Sequence, residues 1–304
     1  MRRRTQWLAT GLVVVLGMLA GCGGQGSAPA GTAPAPGTAK DTASSAASPS
    51  SGGGYIQKIK DRGKLVVGVF TDKPPFGTVD DKGNPTGFEN ELAKRFAKDL
   101  LGDETKIEFV TVEPASRIPY LQSDKVDLIL ANMTVTEERK KAVDFTNPNL
   151  KVATQVLVKN DAGIKSLADL KGKKVIVTKG TTADIFLTKN RPDVELVKYD
   201  KNTESLQALK DGRGIGYAQD NFILFSWARK NPGFTVLPEK LEKEAPLAPA
   251  VKKGNTELRD WVNGELEKLG QEKYLLQLYN KYVLDDLGPD TNPSDIIVEG
   301  GKWE

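Results

Sequence analysis

From Gly23 to Gly54 the chain is built almost entirely of Gly, Ala, Ser, Thr and Pro, with Gln25, Lys40 and Asp41 as the exceptions. Such a stretch has too little apolar surface to offset the conformational entropy lost on folding, so it predicts a flexible tether. Its 32 residues give a typical reach of about 30 Å. The pattern changes at Tyr55, where short β-branched runs begin to alternate with amphipathic segments. Whatever folds must therefore fold from there on, and the alternation of strand and helix signals points to right-handed βαβ units.

The expected elements fall into two series. In the first, Leu65 to Phe70, Lys106 to Val112 and Val126 to Leu130 read as strands, and Glu89 to Leu101 reads as a helix with Leu92, Phe96 and Leu100 on one face. The second series starts after Lys159. It predicts a short helix at Ser166 to Leu170, strands at Lys174 to Thr178, Val194 to Tyr199 and Ile215 to Ala218, and helices at Thr182 to Asn190, Thr203 to Lys210 and Asn221 to Lys230. Two series imply two lobes of α/β type, each with a mostly parallel sheet flanked by helices. Glu257 to Tyr282 is strongly helical. The last 20 or so residues, with Gly288-Pro289 and Asn292-Pro293, predict a poorly ordered tail.

The chain has no histidine and a single cysteine, which excludes Cys/His zinc sites, histidine-based triads, Cys–His pairs and internal disulfides. No metal, cofactor or catalytic residue is expected. Its 43 basic side chains exceed the 40 acidic ones by three, and Arg2, Arg3 and Arg4 account for the excess. The remainder is neutral and carries no electrostatic footprint for nucleic acid.

Those three arginines precede an apolar run of 14 residues, Trp7 to Ala20. The run is shorter than the roughly 20 residues of a membrane span and suits the core of a signal peptide. It ends in Leu19-Ala20-Gly21-Cys22, which resembles the lipobox of bacterial lipoproteins. That resemblance implies cleavage after Gly21, lipidation of Cys22 and anchoring to the outer face of the cytoplasmic membrane.

In open α/β sheets ligands sit beyond the carboxyl ends of strands, near helix N-termini. Four segments fall there. Lys73-Pro74-Pro75-Phe76 follows the first strand, where the prolines stiffen a turn that would hold Phe76 toward a cleft. Asn132 to Arg139 follows the third strand. Thr134 and Glu137 have capping-box spacing, and Arg139 would lie in the first turns of the helix. An arginine opposes the helix dipole there, which suggests an anion to grip. Gly180-Thr181-Thr182 offers backbone amides and hydroxyls to a carboxylate, and Gln219-Asp220 ends a strand with a group able to pair with an ammonium. Each has a bland counterpart: a rigid turn, a surface ion pair with Glu137 or Asp144, a glycine-started helix and an N-cap aspartate. Together they supply what a free α-amino acid requires.

Further segments carry a family resemblance. GKLVVGV from Gly63, PPFG from Pro74, Gly83, and GFENEL from Gly87 to Leu92 are similar to family 3 extracellular solute-binding proteins, the amino-acid receptors of ABC importers. TVTEERKKAVDFTNP, from Thr134 to Pro148, resembles that family's most recognisable segment. The similarity covers roughly 56–283, with Asn90 standing where the family has an apolar residue.

The resemblance implies a hinged, two-lobed clamp: lobe 1 at 55–152 plus 247–283, lobe 2 at 153–246, and a tail from 284 to 304. It implies that Arg139 pairs with the ligand carboxylate, assisted by Thr134 and met from the second lobe by Thr182; Asn132 and Thr181 are expected at the ligand as well. Asp220 would hold the ammonium and Phe76 would cover the ligand. Arg117, in Ser116-Arg117-Ile118-Pro119, resembles the arginine of acidic-amino-acid binders that faces the side-chain carboxylate, although Phe70 stands where those proteins carry a second basic residue. The leading ligands are therefore glutamate, aspartate or glutamine.

Two alternatives stay open. Lys179 to Asp184 and Asp220 to Trp227 are similar to a subgroup that includes cysteine receptors, and the fold also hosts a cyclohexadienyl dehydratase. The implied partners are a free amino acid, an ABC permease and the membrane through the lipid anchor. The implied state is a non-enzymatic monomer outside the cytoplasm.

Overall fold

A computed structural model describes residues 54–303. The expectations for the leader, for Cys22 and for most of the tether lie outside the described residues.

Two five-stranded sheets form the frame. The first runs, in spatial order, Ile107–Thr111, Leu65–Val69, Leu128–Leu130, Ala250–Lys252, Val143–Phe145; the second runs Glu195–Tyr199, Lys174–Thr178, Gly216–Asp220, Thr154–Lys159, Phe234–Val236. In each sheet the strands joined through helices pair in parallel. The remaining pairings are antiparallel. The sheets are thus mixed rather than mostly parallel. The antiparallel members are strands close to the crossings, where no helical crossover imposes a common direction.

Leu150–Val152 leaves the first sheet and Ala245–Leu247 returns toward it. The two pair antiparallel, so both crossings form one narrow ribbon. The core of the first lobe sits between its sheet and the Phe88–Leu101 helix, where Phe88, Leu92 and Phe96 are fully buried with Val67 and Val69. Truncating a residue such as Phe96 to Ala is worth about 3–5 kcal/mol of stability. Val156, Val175, Val177 and Leu187 form the corresponding core of the second lobe.

Asn90, the one departure within the family-like segment, is itself fully buried. Its amide donates to the carbonyls of Phe70 at 3.2 Å and Thr86 at 2.9 Å, clasping the loop that follows the first strand.

Two C-terminal expectations are corrected. The helix expected over Glu257 to Tyr282 breaks after Thr256–Gln271, where Lys273 takes a left-handed φ of 52°, and resumes as Tyr274–Leu278. Gly270 lies so near Gly300 that a Cβ would stand 2.4 Å from the Gly300 Cα. The supposed loose tail is therefore packed structure. Ile296 and Ile297 are buried in the first core and Val298 is buried beside them in sequence; the carbonyl of Ile296 accepts from Lys151 N–H, and Val298 N–H donates to the Asn149 carbonyl. This apolar run was too short to stand out among turn residues.

Candidate functional site

The third and fourth expected segments meet the second across a small cavity. From the first lobe come Phe70, Lys73, Pro114, Arg117, Asn132, Thr134 and Arg139; from the second come Thr181, Thr182, Gln219 and Asp220. The cavity volume is about 10 Å³. That is the room of one water, so the walls are drawn tightly together.

Arg139 is held by the Glu137–Ala142 helix, whose N-cap is Thr136 rather than Thr134. The Thr136 hydroxyl accepts from Arg139 N–H at 3.2 Å, while the carbonyl of Thr134 accepts from Arg139 Nη1 at 2.8 Å. Thr134 thus stands two residues before the cap, and its carbonyl holds the arginine instead. Burial draws the Arg139 guanidinium down to about 10, with Asp220 opposing. The Asp220 carboxyl is pushed up to about 6 by burial, against the pull of Arg117, Lys73 and Arg139. Arg139, on a helix of the first lobe, and Asp220, at the end of a strand of the second, thus line one space.

Gly180, in a left-handed φ of 76°, opens the turn before the Thr182–Asn190 helix. Its carbonyl accepts from Arg117 Nη2 at 3.3 Å and from Arg139 Nη2 at 3.0 Å. A Cβ on Gly180 would lie 2.8 Å from the Ala115 backbone of the other lobe. Thr181 caps this helix, accepting from Asp184 N–H and donating to the Thr178 carbonyl at 2.7 Å, so its hydroxyl is already engaged. Thr182, at the first helical position, has an N–H without an intrahelical acceptor. Its hydroxyl is 3.4 Å from that of Thr154.

Two expectations change. Phe76 does not face the cavity: it is fully buried against Phe88, edge to face with centroids 6.3 Å apart. The Pro74-Pro75 turn directs it into the core, where an all-carbon ring gains most from leaving water, and Phe70 supplies the cavity's aromatic face. Arg117 lines the cavity, but carbonyls occupy most of its donors. Nε donates to Pro114 at 3.0 Å, Nη1 donates to Ala131 and Asn132 at 2.9 Å each, and Nη2 donates to Gly180. With these donors engaged, Arg117 does not call for the side-chain carboxylate that the resemblance to acidic-amino-acid binders implied. Burial and the nearby Arg139 hold its ionisation well below the usual arginine range.

Lys73, to which the sequence assigns no role, also lines the cavity. Its side chain is 2% exposed, its ammonium lies 3.0 Å from the Phe70 ring centroid, and Nζ has no hydrogen-bond partner. Burial pushes it down to about 7, opposed by Asp72 and reinforced by Arg117. The amide of Asn132 is likewise buried without partners. The Asn132 backbone is left-handed, with φ 44°, and its N–H donates to Glu89 Oε2 at 2.8 Å. The available signal for Lys73 was its place just beyond a strand's carboxyl end. Gln219, quoted beside Asp220, faces inward as well.

Comparison with known proteins places the chain in a family. The sequence profile of bacterial extracellular solute-binding proteins, family 3, matches residues 65–285. The ABC transporter glutamine-binding protein GlnH of Bacillus subtilis is 37% identical over 233 residues, covering 76% of this chain and 85% of that protein. The cysteine-binding protein of Campylobacter jejuni superposes with a TM-score of 0.79 at 45% identity, covering 80% of this chain and 98% of that one. The solute receptor for L-cysteine of Neisseria gonorrhoeae gives 0.79 at 48% identity, covering 80% and 99%. With its two mixed sheets, double crossing and charged cleft, this chain belongs to the bacterial extracellular solute-binding proteins, family 3.

Proposed function

We propose that the chain is the substrate-binding component of an ABC importer, capturing a free polar α-amino acid between its lobes outside the cytoplasm and handing it on unchanged to a permease. The observation that carries this is the convergence of Arg139, on a first-lobe helix, and Asp220, on a second-lobe strand, on one space. A guanidinium pairs with a carboxylate through two parallel hydrogen bonds, and an aspartate pairs with an ammonium, so a zwitterion satisfies both. The other five cavity residues named from the sequence, Arg117, Asn132, Thr134, Thr181 and Thr182, surround it.

The lobes, at about 55–152 plus the C-terminal segment and at 153–246, part about the Leu150–Val152 and Ala245–Leu247 ribbon to admit the ligand. The second lobe contacts it only on closing, and that differential affinity drives the population shift. Cys22, once lipidated, would leash the protein to the membrane through the Gly/Ala/Ser/Thr/Pro tether. The protein acts as a monomer in this scheme.

Selection at the side chain rests on Lys73, Phe70 and Asn132. Unpartnered Nζ and amide groups call for a hydrogen-bonding side chain, as glutamine offers. With Lys73, Arg117 and Arg139 on one wall, a cationic side chain meets like charge and is excluded. A second reading, cysteine, is favoured by the 45% and 48% identity to the two cysteine-binding proteins. Calorimetry against the twenty amino acids and cystine tests both. Binding of glutamine or cysteine with none of arginine or lysine supports the reading, and binding of arginine alone contradicts it.

A further inference from the structure

A second set of contacts crosses the cleft without lining the cavity. Asp72, half-buried in the loop after the first strand of the first sheet, reaches the N-terminus of the Asn202–Lys210 helix in the second lobe. Its Oδ2 accepts from the backbone N–H groups of Asn202 at 3.0 Å and Thr203 at 3.4 Å, and its carbonyl accepts from Asn202 Nδ2 at 2.9 Å. The helix has no hydrogen-bonding side-chain cap from its own N-cap residue, Lys201. A carboxylate on these first-turn donors is the favoured pairing for a helix N-terminus, and here it comes from the other lobe.

The contact continues inward. Asn202 Oδ1 accepts from the Tyr217 hydroxyl at 2.8 Å, the Tyr217 oxygen accepts from Gln219 Nε2 at 2.8 Å, and Gln219 Oε1 accepts from Asp220 N–H at 3.0 Å. Gln219 and Asp220 line the cavity.

We propose that Asp72 is a positioning residue that fastens the closed state, capping a helix of the opposite lobe and so setting affinity and residence time without touching the ligand. It can do so only when the lobes meet, because its acceptor and the helix donors belong to different halves. A protein whose binding-competent state is partly populated binds in proportion to that fraction. Losing the cap therefore weakens every ligand through one shared equilibrium. The idea rests on the reading of the cavity as an amino-acid site, but the latch itself is measurable without ligand.

The test uses chains carrying Cys22→Ser, with spin labels at Lys141→Cys and Lys189→Cys, exposed positions on the two sides of the cleft mouth. Label separations are compared with and without Asp72→Ala, first without ligand and then with glutamine or cysteine at half-saturation. The expected result is a shift toward longer separations in Asp72→Ala, an affinity about tenfold weaker, and a smaller change in Asp72→Asn, which keeps an acceptor. Distance distributions that superimpose for Asp72→Ala and its parent under both conditions would overturn the latch. Failure of the amino-acid reading shows separately, as a parent protein that binds none of the amino acids by calorimetry, and the distance comparison still decides the latch.

Discussion

The two walls of the cavity are built on opposite chemical plans. The first-lobe wall presents charged and amide side chains that donate: Arg117, Arg139, Lys73 and Asn132. The second-lobe wall presents one carboxylate, Asp220, with a carbonyl at Gly180 and a helix start at Thr182. The difference teaches how the clamp works. The two arginines, pinned by carbonyls of their own lobe, can seat a carboxylate before closure, whereas Asp220 and the Thr182 helix start complete the site only when the second lobe arrives. Even in the closed arrangement the Gly180 carbonyl draws on both arginines, so closure and ligand grip use the same guanidinium groups.

The largest break in this contrast is Arg139→Ala. Removing one partner of a buried charge pair costs about 3–5 kcal/mol, so calorimetric binding of every amino acid should vanish. Asp220→Asn strikes the opposite wall, with an expected loss of about 2–5 kcal/mol for amino acids. The matching 2-hydroxy acid, which lacks the ammonium, should lose far less; an equal loss for both would deny Asp220 its role. Gly180→Ala tests the meeting point. A left-handed residue and a Cβ against Ala115 should cost about 1–3 kcal/mol of closure, weakening glutamine and cysteine by the same factor in titrations.

Lys73→Met sharpens the contrast from the other direction. Deleting a buried, unpartnered ammonium should stabilise the ligand-free protein by about 0.5–2 kcal/mol, read as a higher Tm, while relaxing the exclusion of cationic side chains. A lower Tm would mean that Lys73 is structurally satisfied.

A further test of the same contrast is the pH dependence of the ligand-free protein. Asp220, raised to about 6, and Glu89, raised to about 7 mainly by burial, hold their protons longer in the folded state than in the unfolded one. Their favourable contribution is complete below the unfolded carboxylate range and is lost as pH rises through about 6 to 7. Lys73, lowered to about 7, regains stability only above that pH. Ligand-free Tm should therefore decline between about pH 4.5 and 7, and a bound amino acid should flatten the decline by pairing Asp220.

Much of this was legible in the residues. The Lys174–Thr178 strand and the Thr182–Asn190 and Asn221–Lys230 helices fall where the periodicity put them, because each is a long run with clear end signals. The placement of Arg139 and Asp220 at element ends was equally visible. What escaped was set by distant partners. Arg117 looked like a cation awaiting an anion because its acceptors include carbonyls at Ala131, Asn132 and Gly180, the last 63 residues away. Phe76 and Phe70 exchanged roles because a turn's direction decides which ring meets the core. The Ile296 to Val298 segment hid among turn residues, since its burial depends on the Leu150–Val152 crossing strand that it joins.

The central claim is that one cavity reads both ends of a zwitterion, and it is tested most directly by titrating the wild-type protein with three forms of its best-binding amino acid. These are the free acid, the N-acetyl derivative and the α-carboxamide. The account predicts that only the free amino acid binds, because either modification leaves Asp220 or Arg139 buried without its partner. Binding of the carboxamide or the acetylated form within tenfold of the free amino acid would contradict it.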